Sequence, residues 1–434
     1  YPPQLNVVDI NWETYSAPQS VPNYLESFTE SLSDNTVTRI SDHDVFGCDC
    51  NQLRHNYSKN QPWNADGTLI KSSGFPARLI DGESYEMLDE VFCRVLWSHL
   101  DPDITYGYYS NRFYRRNIVT GQDVVIREFT EYDTVSIGDS EGNLSVDDKW
   151  VAFIGRNGNN STLFVYDIEN DIITGEKYIG SAGIDWVSMS QSGEYVVAMY
   201  TSIGSGNHQG TKSYDINMQN ETHLINGHPH GDIGYDVEGN EVFVGYGYAP
   251  SGFSISYTRL DTGLTKGVFP HTGSSGDRGL YGGHISCRNI DRPGWAYVTE
   301  QGQPSNVNNY EATREIFAIK LDESGTIERY AKHNTVTSVG YYHQAHGVPN
   351  RDGTKVLFVS NWDDAQLESE SYPVMFVIEV PQTGSGSQVD AGSDMTICEG
   401  STATLTASNA LSYLWNTGGT TASIQVTPST TTTY

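Results

Sequence analysis

The chain has 434 residues, of which 37% are hydrophobic and only 18% charged, with 43 Gly and 28 Tyr; this excludes a disordered chain, poor in aromatic and β-branched residues, and suits short strands and tight turns in more than one structural unit. The formal net charge of -29 repels DNA, RNA and anionic membranes, so no nucleic-acid partner is expected. An acidic glycan is repelled at long range too, so a chain that binds one needs a local cluster of Arg, Lys, His or metal.

In chain order, residues 1–35 show no repeat and form an N-terminal segment. They begin with Tyr1 rather than Met, from which a removed signal peptide and a secreted or cell-surface location are expected. No run approaches the ~18 apolar residues of a membrane span. Residues 36–381 carry one repeated pattern: a short strand, a turn built on Asp, Gly or Asn, then an apolar strand. It opens at Asn64-Ala65-Asp66-Gly67-Thr68 and returns at Asp101-Pro102-Asp103, Val146-Asp147-Asp148 and Gln191-Ser192-Gly193. Further copies are Val237-Glu238-Gly239, Asp291-Arg292-Pro293-Gly294 and Arg351-Asp352-Gly353. Seven copies, spaced roughly 37 to 60 residues apart, match the repeat length of propeller blades, and no segment holds a helical period for three turns. Third strands are expected at residues 163–170, 211–217, 255–263 and 316–325. The seventh copy has only one clear later strand, at 374–380, so the ring needs an outer strand from the N-terminal side, at 36–41. The expected fold is all-β, a seven-bladed β-propeller, with an irregular β-sandwich as the alternative.

Residues 382–392 begin Gln382-Thr383-Gly384-Ser385-Gly386-Ser387, a flexible linker by composition. Residues 393–434 are rich in Thr and Ser and alternate as strands do. Here Cys398-Glu399-Gly400-Ser401-Thr402 and Tyr413-Leu414-Trp415-Asn416 resemble the immunoglobulin-like modules that precede the sorting signal in secreted Bacteroidetes proteins. The resemblance implies a partial immunoglobulin-like β-sandwich and cell-surface display, not an activity. Cys48, Cys50, Cys93, Cys287 and Cys398 are too sparse for a disulfide scaffold and lack a paired zinc-ribbon spacing. One of the close pair Cys48 and Cys50 is expected to bridge to Cys93.

The innermost strands of a propeller begin near one face, so the repeat register predicts which residues share a pocket. Counting back from the turns gives Tyr57, Asp185, His230, His284 and His346, three of them histidines in a chain with only 12. They sit in His228-Pro229-His230-Gly231-Asp232, Gly283-His284-Ile285-Ser286 and Tyr342-His343-Gln344-Ala345-His346. Imidazoles from separate strands can hold a divalent cation, or can merely tie blade to blade. Arg54-His55-Asn56-Tyr57-Ser58-Lys59 adds two cations suited to a carboxylate or sulfate, and an imidazole and a phenol suited to proton transfer; a solvated strand start is the plainer reading. Tyr281, Tyr341, Tyr342 and Trp362 are candidates for stacking on sugars or for structural packing.

With these residues in view, the chain resembles the propeller-type polysaccharide lyases, above all oligogalacturonate lyase and more loosely the ulvan lyases. The resemblance rests on His284, followed one blade later by His343-Gln344-Ala345-His346 and a repeat turn. It implies that His284, His343 and His346 hold a divalent cation, such as manganese or calcium; the order of the second cluster departs from the family pattern at Gln344. It also implies β-elimination on an acidic polysaccharide or oligosaccharide, with Arg54, His55 and Tyr57 serving carboxylate neutralisation or proton transfer and His230 either role. The family's arginine base matches no single residue, Arg54 being the candidate. A non-catalytic glycan-binding or adhesion propeller is the alternative. A hydrolase built on Asp185, Asp232 and Asp236 lacks a spacing that fixes a carboxylate pair, and no Gly-x-Ser-x-Gly elbow precedes a helix.

Overall fold

All seven predicted turns end where a buried strand begins. In the computed structural model these strands are Leu69–Lys71, Ile104–Tyr109, Trp150–Asn157, Tyr195–Tyr200, Glu241–Tyr246, Trp295–Glu300 and Lys355–Ser360. The turn residues explain the repetition. Asp66, Asp147 and Asp352 each accept a backbone N–H two residues on, at 3.1, 3.1 and 2.9 Å, which closes the turn from the side chain. Gly67 and Gly353 hold φ at +78° and +75°, a region open to glycine without steric cost.

The structure describes residues 1–10, 12, 20–47, 53–74, 76–138, 141–270, 279–302, 310–335, 343–362, 373–381, 395–398, 400–407, 415–417, 419 and 421–433. Seven antiparallel sheets follow one another as blades. Blade one contains Leu69–Lys71, Ala77–Asp81 and Met87–Val91, with Trp63 bridged to Ile70 on its inner side. Blades two to five take their four strands from consecutive stretches of chain. Blade six, innermost strand Gly283–Ser286, gains a fifth strand, Gln4–Asn6, paired with Thr326–Lys332. Blade seven runs Val348–Pro349, Lys355–Ser360 and Val374–Glu379, and is completed by Thr36–Arg39 and Ser27–Thr29 from the N-terminal side. That is the ring closure the sequence demanded. The expected third strands are also present, for example Asn160–Asp167 and Thr211–Asp215.

The middle strands are buried on both faces, because each blade packs against its neighbours. Val356, Phe358, Phe376 and Ile378 of blade seven meet Tyr297, Ile316 and Ala318 of blade six. Trp362 belongs to this core: it is 3% exposed and stacks on Phe376 at 4.6 Å, so it offers no surface to a sugar. One expectation is corrected: Cys93 is a buried free thiol rather than half of a disulfide; Cys48 and Cys50 lie outside the described residues.

The chain divides into two compact units, Tyr1–Val380 and Pro381–Tyr434. In the second unit one antiparallel pair is described, Ala403–Thr406 with Ser423–Val426. A short 3-10 turn spans Val7–Asp9, and among the described residues no helix is long and apolar enough to cross a membrane.

Candidate functional site

Tyr57 precedes the inner edge of blade one, and His230 precedes Asp232–Tyr235, the first strand of blade five. These blades are not neighbours in the ring, yet the Tyr57 hydroxyl lies 2.8 Å from His230 Nδ1. The same hydroxyl is 3.2 Å from Nδ1 of His284, on blade six. His284 and His346, just before the inner strand of blade seven, meet edge to face with ring centroids 4.0 Å apart. Four of the five predicted strand starts therefore converge at the ring centre. Asp185, the fifth, is exposed, and its charge acts on His230.

The backbone has been shaped to allow this. His346 holds φ at +48°, the left-handed region that a non-glycine residue enters at a cost of order 1–3 kcal/mol and that clusters at functional sites. Gly347 follows it because a side chain there would press on Thr299 and Ile316, and Gly283 precedes His284 because a Cβ there would run into the Thr299 carbonyl.

Hydrogen bonding orders the protons. Arg54 Nη2 lies 2.6 Å from His346 Nδ1; a guanidinium only donates, so Nδ1 accepts and the proton of neutral His346 sits on Nε2. That nitrogen faces Gln344 Oε1 at 3.3 Å, and the same oxygen is 2.5 Å from His284 Nε2. His284 thus donates from Nε2 and accepts at Nδ1 from Tyr57. Having given its only proton to His284, the Tyr57 oxygen accepts Nδ1–H from His230, which leaves His230 Nε2 with a lone pair.

Burial keeps these imidazoles neutral. It is the main cause that pushes His284 and His346 well below the ordinary histidine value, reinforced by their neighbours and by Arg54. His230, though more exposed, is also lowered, by desolvation and then by the Lys59 charge. Lys59 is buried and bonded to Glu141 at 2.6 Å, with its ammonium 4.5 Å from the Trp186 ring centre.

Some expectations change. His55 is 1% exposed, its Nε2 is 2.6 Å from the His346 carbonyl oxygen, and burial takes it down to about 3; it braces the backbone rather than facing a ligand. Arg54 is likewise buried and turned onto His346. Gln344 reaches both imidazoles, where the sequence reading had placed the ring of His343, which is buried beside it. Asp232 is locked by Arg288 at 2.9 and 3.0 Å, and Asp236 closes a turn onto Asn240, so neither is placed for acid–base work. Tyr341 and Tyr342 lie outside the described residues.

An open groove of about 540 Å³ runs beside the cluster, lined by His230, Gln344, Tyr246, Tyr248, Phe253 and Tyr281. Among the described residues no three His, Cys, Asp or Glu side chains form a metal cluster. His284, His346 and Gln344 meet at a single point, but in this arrangement both Nε2 atoms carry the protons they share with Gln344 Oε1, so they become two nitrogen ligands beside an amide oxygen only once those protons are displaced.

No protein-family model and no curated relative matches the chain. Solved structures do match its fold. Oligogalacturonate lyase from Vibrio parahaemolyticus aligns at a TM-score of 0.57 and 14% identity, over 85% of this chain and 100% of that one. Oligogalacturonate lyase in complex with manganese aligns at 0.55 and 13%, over 85% and 99%. At such identities the likeness shows a shared propeller fold.

Proposed function

We propose that this protein is a secreted polysaccharide lyase that cleaves a uronate-containing glycan by β-elimination. One observation carries the reading: the Tyr57 hydroxyl bridges His230 and His284 at the edge of an aromatic-lined groove. The two fold neighbours named as oligogalacturonate lyases support it.

Elimination needs the proton beside the uronate carboxylate to be removed while the glycosidic oxygen on the next carbon departs. His230 Nε2 takes that proton; the C–H electron pair becomes the new double bond, the C–O bond breaks, and the leaving oxygen takes a proton from groove water, whose hydroxide recovers the proton held by His230 and restores the neutral imidazole. Tyr57 holds His230 in the tautomer that leaves Nε2 open, and its oxygen accepts Nδ1–H more strongly as imidazolium forms. The Asp185 charge favours the same protonated state. Arg54 and His55 position His346. A divalent cation would be held by His284, His346 and Gln344 once the two Nε2 protons are displaced, His284 then carrying its proton on Nδ1 toward Tyr57 and Arg54 withdrawing from His346 Nδ1; it would supply Lewis-acid neutralisation of the carboxylate, which acidifies the neighbouring proton. His343 remains a further candidate ligand by resemblance. Residues 393–434 would act in display, as an immunoglobulin-like module does.

The test is the ultraviolet absorbance of unsaturated uronates over a panel of acidic polysaccharides, with and without chelator. A rise abolished by chelator is expected. Glycan binding with no product on any substrate would replace the lyase with an adhesion or binding propeller.

A further inference from the structure

A second pocket, of about 360 Å³, opens between blades one and two, lined by Asn56, Lys71, Cys93, Arg94, Gly107 and Tyr108. Asn56 is covalently next to Tyr57, so the pocket adjoins the segment that feeds the central cluster.

Its distinctive feature is Lys71, 5% exposed. An ammonium has three protons to donate, and Lys71 places one on the Val95 carbonyl at 2.8 Å, an oxygen that Asn56 Nδ2 also approaches at 3.3 Å. Among the described residues no carboxylate pairs with it. Lys59, Lys212, Arg288 and Arg292 are comparably buried, and each pairs with a carboxylate: Glu141, Glu221, Asp232 and Glu328. Cys93 supplies no anion, since burial raises its thiol pKa. Two more cations stand close by. Arg94 is held by Asp123 at 2.5 Å, while Arg116 donates to the Phe92 carbonyl at 2.6 Å and lies 4.4 Å from the Phe92 ring centre. Three cations against one carboxylate make a positive spot on a protein of net charge -29.

A buried ammonium without an anion is unfavourable in the empty protein, and a ligand that brings a carboxylate relieves it. Burial has already lowered the Lys71 pKa to about 8. We propose that the Lys71 pocket is a carboxylate-binding subsite, taking a uronate unit of the same glycan away from the bond that is cleaved. This rests on the lyase reading for its ligand class. It explains how an acidic chain holds an acidic polymer: the repulsion is spread over the surface and screened by salt, whereas the attraction is local and dry.

The test titrates galacturonate into the full chain and into Lys71→Met, with galactose and inorganic sulfate as controls. Loss of one bound equivalent or a tenfold weakening is expected in the variant, with no uptake of galactose and no fall in Tm, because methionine fills the space without a charge. Unchanged galacturonate binding in Lys71→Met overturns the subsite, and preference for sulfate overturns the carboxylate assignment. The two readings fail separately. Lys71-dependent binding without unsaturated product from any glycan would remove the lyase and leave the subsite. Product formation with an unchanged KM in Lys71→Met would do the reverse.

Discussion

Two buried polar assemblies, one between blades six and seven and one at the ring centre, use similar residues in opposite ways. Between the blades, Arg292 meets both oxygens of Glu328 at 2.8 and 2.7 Å and the Tyr297 hydroxyl at 2.8 Å, and Tyr297 and Tyr330 both donate to the Gly353 carbonyl. Charge is balanced and the donors are directed, as a structural clasp requires. At the ring centre, Arg54 faces an imidazole, and the contacts that join the cluster are imidazole to amide and imidazole to phenol. A charge-paired clasp marks a brace, whereas imidazoles held neutral and joined through an amide and a phenol mark a place able to move a proton.

That contrast can be broken by mutation. Glu328→Gln leaves Arg292 buried beside a neutral amide and should destabilise the fold by roughly 3–5 kcal/mol, read as the largest fall in denaturation midpoint of the set. Tyr57→Phe should do the opposite: a loss of about 100-fold in unsaturated product, with a much smaller change in midpoint. A Tyr57→Phe enzyme that unfolds easily but keeps its activity would mean the central cluster is also a clasp.

The Lys71 pocket sharpens the comparison through pH. Its pKa of about 8 lies below the ~10.4 of an unfolded lysine. Between these values the unfolded chain binds more protons, so this group makes stability rise with pH, while affinity for galacturonate falls as the ammonium is lost. Arg116 acts on the neighbouring Cys93, and Cys93 and His55 face Lys71 itself; His55 stays neutral throughout. Binding titrations and melts from pH 7 to 10 should slope in opposite directions, and parallel slopes would reject the assignment. The smallest effect is expected at the exposed pair Arg112–Glu128, where Arg112→Ala should leave the midpoint within error.

The fold was legible because each blade repeats one turn whose Asp and Gly have a local backbone reason to be there, and the ring-closing strand followed from counting strands. The same register located Tyr57, His230, His284 and His346. It failed two residues before His346, at Gln344, because His346 leaves the extended region and strand alternation no longer says which side chain points inward. It also passed over Lys71 in Leu69–Lys71; a lysine at a strand end reads as solvated, and only the packing of blade two against blade one buries it. Trp362 stayed open between a sugar-stacking and a packing role for a related reason. An aromatic residue just past a strand is equally suited to a surface and to a core, and Phe28 and Phe376 settle it.

Ring closure also has a consequence for synthesis. Ser41 bonds to the backbone of Met375, 334 residues further on, and Thr36–Arg39 pairs with Val374–Glu379. At ribosomal speeds of about 5–20 residues per second, the N-terminal strand waits on the order of 20–60 s for its partner. During that interval its unsatisfied edge is an adhesive surface on a half-made protein. A newborn chain interrupted before blade seven is therefore an open arc, with one end looking for any strand it can find.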